Sequence, residues 1–472
     1  VISEELERRT HDLLMRAAQV YHGHPNADGR LRHTLDRFAG PLRLAVAGAG
    51  RTGKSTLVNA LVGEDVAPVG QADLVTYRDG TELRAWSRPE HGRPYEVPVA
   101  RTSGGLRLDT PVPRAVVQWP SRVLRRTELI DTGPSTPPGQ VLPEADAVLL
   151  LTPRIGEPDL DFLRAGRGLR GPAAFPIHVF VVLTKADMHG DGLPDGLLEA
   201  RRIARRRRRE PAIAALCQDV VAMSPLIGHA ARTLRDDEFR ALAAIAALPR
   251  TASDPSLLST DRFTAAGALP VVGARARLDL LQRFGLGGIR LALALVRTGA
   301  ATTSALAERL QEYSGLKDLQ ASIAELFVAR RAALKARSAL IVLDHLLRTE
   351  RVAASGHLLA ELELLLAGAH DFAELRLLSA LRSGRVALPA ETAREALRLL
   401  GGAGTSLGER LGLPTEATMD DIWAVAEDSA ERWRREAGLG DRTPAQRRAA
   451  AVVLRSCEAM LAGAESMPSV TG

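Results

Sequence analysis

The sequence predicts an α/β head, with a mostly parallel sheet and helices on both faces, followed by an all-α neck and trunk helical bundle. Three observations predict it. Short apolar runs alternate with helical stretches between about residues 42 and 250. Several of these runs are continuously apolar, as strands buried on both faces require. Beyond about residue 260 the pattern is helical almost throughout, with apolar residues recurring every seven positions. The expected division is residues 1–40 as an N-terminal helical segment joining the neck, 41–250 as the head, and 251–472 as the helical neck and trunk.

At the N-terminus, Ile2, Leu6, Leu13, Leu14, Ala17 and Val20 share one helical face, and His24, Pro25, Asn26 and Gly29 interrupt it before a second short helix that ends near residue 40. That face needs a partner, and the neck helices near residues 263–300 are the expected one. The strand-like runs are Leu42–Ala47, Arg114–Trp119, Glu128–Asp131, Ala147–Leu151, Val179–Leu183 and Val220–Met223. Residues 78–114 are rich in Pro, Gly and Arg and read as an irregular insertion with short antiparallel strands. Between Asp318 and Leu347, the row Leu326, Ala333, Leu340, Leu347 lies beside Phe327, Leu334, Ile341, a bundle seam. Helix starts are signalled at Thr418 and Thr443, the second with Pro444 in its first turn and Gln446 as a capping-box residue. Glycines between Gly401 and Gly412 mark a bundle tip. There Leu407, Leu411 and Leu413 would either enter a lipid interface or bury a turn, and the second is favoured.

Of 472 residues, 46% are apolar and 25% charged, which excludes a disordered or collagen-like chain. Aromatics are only 4%, so the core is mostly Leu, Val and Ala. Cys217 and Cys457 make no disulfide scaffold and point to a reducing cytoplasm. The acidic opening, Glu4, Glu5 and Glu7, is unlike a signal peptide, and the best apolar run, Ile289–Val296, is short and contains Arg290. The net charge is +6, but 58 of the 62 basic residues are arginine. Under that bias an arginine carries little information and a lysine carries more.

Gly48-Ala-Gly50-Arg51-Thr52-Gly53-Lys54-Ser55 follows an apolar strand and opens a helix, the context of a P-loop. Phosphate oxygens need several backbone N–H donors converging on one point, and a helix N-terminus adds a favourable field. Gly48, Gly50, Thr52, Gly53, Lys54, Ser55 and Thr56 are therefore the expected phosphate-binding residues. Lys54 would reach the β- and γ-phosphates, and Ser55 would ligate Mg²⁺. Arg51 either supplies positive charge in cis or faces solvent.

Thr184-Lys185-Ala-Asp187 ends the run Val179–Leu183. A carboxylate accepts two hydrogen bonds from guanine N1–H and its 2-amino group, and adenine has no such donor pair. Asp187 would thus select guanine, with the Lys185 stem over the base. Two of the four lysines in the chain stand at Lys54 and Lys185. Ser224 follows another strand, and is either a further base-side element or an ordinary strand-end serine. Asp131, in Asp131-Thr-Gly-Pro134, would hold Mg²⁺ through water. The position expected to present a γ-phosphate-sensing N–H is Pro134, which has none. Between Gly63 and Asp79 the sole candidate switch threonine is Thr76.

With Ser55-Thr-Leu-Val-Asn-Ala-Leu-Val-Gly63, Ala67-Pro68, Tyr77-Arg-Asp-Gly80, Cys217-Gln-Asp-Val-Val221 and Leu334-Lys-Ala-Arg-Ser-Ala339, the chain resembles the bacterial dynamin-like GTPases. Its nearest likeness is to the isoniazid-inducible dynamin-like proteins of mycobacteria and their actinobacterial relatives. The resemblance covers roughly residues 40–350. It implies a P-loop GTPase head that binds GTP/GDP with Mg²⁺, a neck that recruits an N-terminal helix, and a trunk whose tip touches lipid. It also implies nucleotide-dependent self-association, or pairing with a second dynamin-like chain, and membrane remodelling at the cytoplasmic face as a peripheral protein bound to anionic lipid. The family's Asp-Thr-Pro-Gly reads Asp131-Thr132-Gly133-Pro134 here, and the first switch is short. Slow hydrolysis is the consequence, and exchanging Gly133 with Pro134 would be expected to raise turnover.

Two other readings stand beside this one. One is a catalytically weak scaffold for an active partner. The other is an RNA-associated GTPase, suggested by the sequence pI of about 9.8 and disfavoured by the absence of a KH or OB pattern, so that no nucleic acid is expected. The run Arg201–Arg209 reads either as a contact for lipid or nucleic acid or as a solvated helix face, and the second is favoured. His22 and His24 lack a third metal ligand.

Overall fold

The computed structural model describes residues 2–67, 72–89, 93–102, 105–133, 136–166, 178–188 and 195–465. The strands are β1 Leu42–Ala47, β2 Leu74–Asp79, β3 Arg84–Ser87, β4 Tyr95–Glu96, β5 Val99–Thr102, β6 Gly105–Leu108, β7 Arg114–Trp119, β8 Thr127–Thr132, β9 Ala147–Thr152, β10 Val179–Leu183 and β11 Asp219–Ala222. They form a nine-stranded sheet in the order β11-β10-β9-β1-β8-β2-β7-β3-β4, with β5 and β6 as a separate hairpin. Strands β11, β10, β9, β1 and β8 run parallel, whereas β2 is antiparallel to β8 and parallel to β7. All the expected apolar runs are strands. β2 escaped that pattern because its apolar stretch ends at Tyr77 and closes on Arg78 and Asp79.

Strand alternation divides the core. Leu44, Val46, Leu129, Phe180 and Val182 face one side. Ala45, Ala47, Ile130, Val179 and Val181 face the other, against the helices Glu157–Ala165 and Gly196–Arg209. The first side is covered by the helix Lys54–Val62 and by the C-terminal helical half: Phe327 stacks on Phe180 with ring centroids 4.1 Å apart. A further core lies within residues 227–310 and gathers Ile227, Leu242, Phe263, Phe284 and Leu310.

The seam residues Leu326, Ala333, Leu340 and Leu347 are buried as expected. The segment is not one helix, however. Leu316–Ile323 passes through a π turn, Ala324–Val328, before Arg331–Thr349 begins. The break carries buried Arg330 to Glu374, 3.4 Å away. Lys335 donates to the carbonyls of Arg37 and Pro41 at 2.6 and 2.9 Å and stands 3.6 Å from Asp146, fastening this helix to the base of β1.

Two expectations are corrected, and one pair of alternatives is decided. The N-terminal helix Ile2–Val20 packs on Arg331–Thr349 and Ser355–Gly368, not on residues 263–300. Leu13, Leu14 and Ala17 are buried in that contact, and Tyr21 Oη donates to the Glu350 carbonyl at 2.6 Å. Residues 263–300 already bury their apolar stripe in their own cluster. The second helix, Pro25–Ala39, includes Asn26 and Gly29, because proline in a first turn lacks only an N–H the helix does not need. For Leu407, Leu411 and Leu413 the favoured alternative, a buried turn, is the one observed: Leu411 is buried, and Leu407 and Leu413 pack against the core. Among the described residues no helix is long and apolar enough to cross a membrane.

Candidate functional site: the phosphate loop and the base-reading loop

Beyond Ala47 the chain turns sharply into the helix Lys54–Val62. Gly48 has φ 139°, and a Cβ there would stand 2.2 Å from the Leu151 carbonyl oxygen of β9, so only glycine fits. Gly53 has φ 93°, and a Cβ would lie 3.0 Å from the Pro225 ring. Gly50 is exposed in the turn. Thr52 Oγ1 donates to the Ala49 carbonyl at 2.8 Å and braces the loop. Lys54 is buried, and its ammonium donates to the carbonyls of Gly48 and Ala49 at 2.8 and 2.9 Å. Burial pulls its pKa down, against the opposing charge of Asp131. Ser55 and Thr56 lie half-buried in the first helical turn. Arg51 is exposed, with φ 59°, and makes no ion pair among the described residues.

Asp131 sits near the end of β8 opposite Val46 and is buried. Burial pushes its carboxyl up to about 6, against the pull of the Ser55 hydroxyl and the Lys54 ammonium. Its Oδ1 is buried with no hydrogen-bond partner among the described residues. An orphaned carboxylate oxygen beside a serine hydroxyl suits a hard divalent cation, so the residues present fit Mg²⁺. Thr76 does not join them. It lies within β2 opposite Ile130, whereas Asp131 is opposite Val75, so Thr76 faces the other side of the sheet. That corrects the expectation of a Thr76 metal ligand.

After β8, Thr132 Oγ1 donates to the Val46 carbonyl at 3.0 Å. The Gly133 N–H donates to the Asp73 carbonyl at 2.5 Å, and Thr136 Oγ1 reaches the same oxygen at 3.1 Å. Asp73 takes part only through its backbone, and no sequence signal marks it. Pro68 and Pro134 lie outside the described residues.

At the end of β10, the Thr184 N–H donates to the Thr152 carbonyl, and the Thr184 hydroxyl is buried with no hydrogen-bond partner among the described residues. Lys185 is exposed, with φ 55°. Ser224 Oγ donates to Asp187 Oδ1 at 2.5 Å and also accepts from Ile227 N, capping the helix Pro225–Arg232. The two loops therefore meet: Gly53 lies against Pro225, and Ser224 beside it holds Asp187. Two further residues close this region. A Cβ on Gly287 would stand 2.8 Å from the Asp187 carbonyl oxygen, and the Ser224 N–H donates to Ser314 at 2.8 Å. Gly287 was legible only as one of several glycines in Gly285-Leu-Gly-Gly288.

The arginine run lies on the helix Gly196–Arg209. Arg201 pairs with Asp318 and Arg208 with Asp219, which ties the helix to β11 and its neighbour, while Arg205, Arg206 and Arg209 face solvent. Among the described residues no group of three His, Cys, Asp or Glu is placed to hold a metal.

No family model matches the chain. It is 36% identical over 485 aligned residues to the isoniazid-induced protein IniC of Mycobacterium tuberculosis, in strains CDC 1551 / Oshkosh and ATCC 25618 / H37Rv. The alignment covers 96% of this chain and 98% of that protein. Two solved structures of an oligomerised bacterial dynamin pair, described as providing a mechanism for long-range sensing and tethering of membranes, align with 99% of this chain. They share 12% and 14% identity with it, cover 76% and 77% of their own chains, and give TM-scores of 0.29, too low to carry any structural argument. The identity to IniC over nearly the whole of both chains is decisive: this protein belongs to the family of the mycobacterial isoniazid-induced protein IniC.

Proposed function

We propose that this protein is a dynamin-like GTPase that binds guanine nucleotide with Mg²⁺, hydrolyses GTP slowly, and works on membranes from the cytoplasmic face. The observation that carries this reading is the meeting of the two loops, in which Gly53 abuts Pro225 and Ser224 orients the Asp187 carboxylate. Lys54 would exchange the carbonyls of Gly48 and Ala49 for phosphate oxygens. Backbone N–H groups of the loop and the helix N-terminus would hold the remaining phosphate charge. Ser55 and Asp131 would hold Mg²⁺, which supplies further neutralisation of phosphate charge. Asp187 would accept from guanine N1–H and the 2-amino group. Peripheral attachment to anionic lipid and self-association, or pairing with a second dynamin-like chain, belong to the same proposal and are supported by the family likeness.

A second reading, a catalytically weak scaffold for an active partner, is favoured by the Gly133 amide being committed to Asp73. Phosphate release measured for the chain alone and with a partner chain separates the two.

Calorimetric titration with GTP, ATP and xanthosine triphosphate tests the nucleotide assignment. GTP should bind and ATP should not compete. Asp187→Asn should weaken GTP and favour the xanthine nucleotide, and Lys54→Ala should abolish binding. Equal competition by ATP, or tight GTP binding by Lys54→Ala, would overturn the reading.

A further inference from the structure

Strand register lines up a second polar surface on the sheet, away from the phosphate loop. Arg43 in β1 is opposite Glu128 in β8, Thr76 in β2 is opposite Val116 in β7, and Val116 is opposite Trp86 in β3. Arg78, two residues beyond Thr76, shares its face. A cavity of about 430 Å³ opens here, within the size range of small-ligand sites.

Its charges are unevenly satisfied. Arg43 is neutralised by Glu128 at 3.4 Å and Glu144 at 3.1 Å. Arg78 has no ion pair among the described residues, and its Nε is buried with no hydrogen-bond partner. The guanidinium lies over the Trp86 ring, 5.2 Å from its centre, a contact that leaves the Nε–H without an acceptor among the described residues. Arg88 lines the same cavity from an exposed position and likewise makes no ion pair among the described residues. In a chain biased towards arginine, a bystander would leave its guanidinium in water. Arg78 instead buries part of it.

We propose that this cavity binds a small phosphorylated anion, with Arg78 as its principal donor and Arg88 at its mouth. A phosphomonoester concentrates close to two negative charges on one centre, whose oxygens match the guanidinium fork. A single carboxylate would leave one arginine unanswered. Free phosphomonoesters and phosphate-exposing lipid headgroups present this chemistry equally.

The test uses the full chain and its Lys54→Ala variant, so that phosphate binding at the loop is not counted. Titration with glycerol 3-phosphate reports the soluble source. Co-sedimentation with phosphatidylcholine vesicles, with and without phosphatidic acid, reports the headgroup source. Saturable binding in one arm is expected, retained in Lys54→Ala and weakened at least tenfold by Arg78→Gln and again by Arg88→Gln. Arg88 is exposed, so its variant remains informative if Arg78→Gln disturbs the sheet. Absence of binding in both arms, loss with Lys54→Ala, indifference to both arginine substitutions, or equal binding of succinate would each overturn the proposal.

Discussion

The Gly133 amide donates to the Asp73 carbonyl at 2.5 Å and thereby ties the turn after β8 to the residue before β2. On the proposed GTPase reading a backbone donor in this turn would sense the terminal phosphate. The Gly133 donor is held by Asp73, so GTP would have to compete for it.

The first prediction follows from that bond. Amide hydrogen exchange at Gly133 should be slow in the nucleotide-free and GDP states and should change on binding a non-hydrolysable GTP analogue. Identical protection in all three states would mean the bond is not part of the response. The exchange Gly133→Pro with Pro134→Gly deletes the donor and crowds a site where even a Cβ would stand 3.0 Å from the Asp73 oxygen. Contrary to the expectation from residue order alone, it should lower stability, read as a reduced melting temperature, without raising phosphate release.

A second prediction concerns Gly287, which packs against the backbone of Asp187. Gly287→Ala places a methyl 2.8 Å from the Asp187 carbonyl oxygen. Overpacking of this kind costs about 1–3 kcal/mol, and here it should appear as roughly tenfold or greater loss of GTP affinity. Gly356→Ala, with no atom within 4 Å of the new methyl, should leave affinity unchanged.

Glu374 supplies a third. It is buried among Arg410 at 2.6 Å, Arg330 at 3.4 Å and the Ser456 hydroxyl at 2.7 Å. Arg410→Met leaves the carboxylate with one guanidinium and should destabilise the fold by about 3–5 kcal/mol. A chemical-denaturation midpoint unchanged by this substitution would show that the network contributes little.

The same cluster sets a pH dependence. Burial holds His370 below its ordinary 6.5, so the unfolded chain binds the more protons and stability falls as pH drops through and below 6.5. Burial would raise Glu374, but Arg410 and Arg330 outweigh it and hold it below its ordinary 4.5, so its contribution is present above 4.5 and is lost at lower pH. The melting temperature should therefore decline on acidification from pH 7.5 to 5, and less steeply for His370→Gln. Equal slopes for both proteins would remove His370 from the account.

Much of this was legible in the chain. The strands of the parallel part announce themselves as continuous apolar runs, and the P-loop and Thr184–Asp187 carry side-chain chemistry at fixed places in such runs. What was hidden had other causes. β2 ends in polar residues, so it did not stand out among the apolar runs, although Thr76 could already be read as lying inside a strand. Asp73 acts through its carbonyl, which every residue has. The N-terminal helix showed an apolar face but not its partner, because one leucine stripe is much like another until the competing stripe at residues 263–300 is seen to be occupied.

The stack of Phe327 on Phe180 has a consequence for how this molecule comes apart. The C-terminal helices share a core with one face of the nine-stranded sheet, so a head cut from the chain before residue 316 would lose the Phe327 cover of Phe180. Such a fragment should precipitate rather than fold, and protease should find no clean seam between the halves. Any swing of the helices away from the sheet would have to expose the same surface.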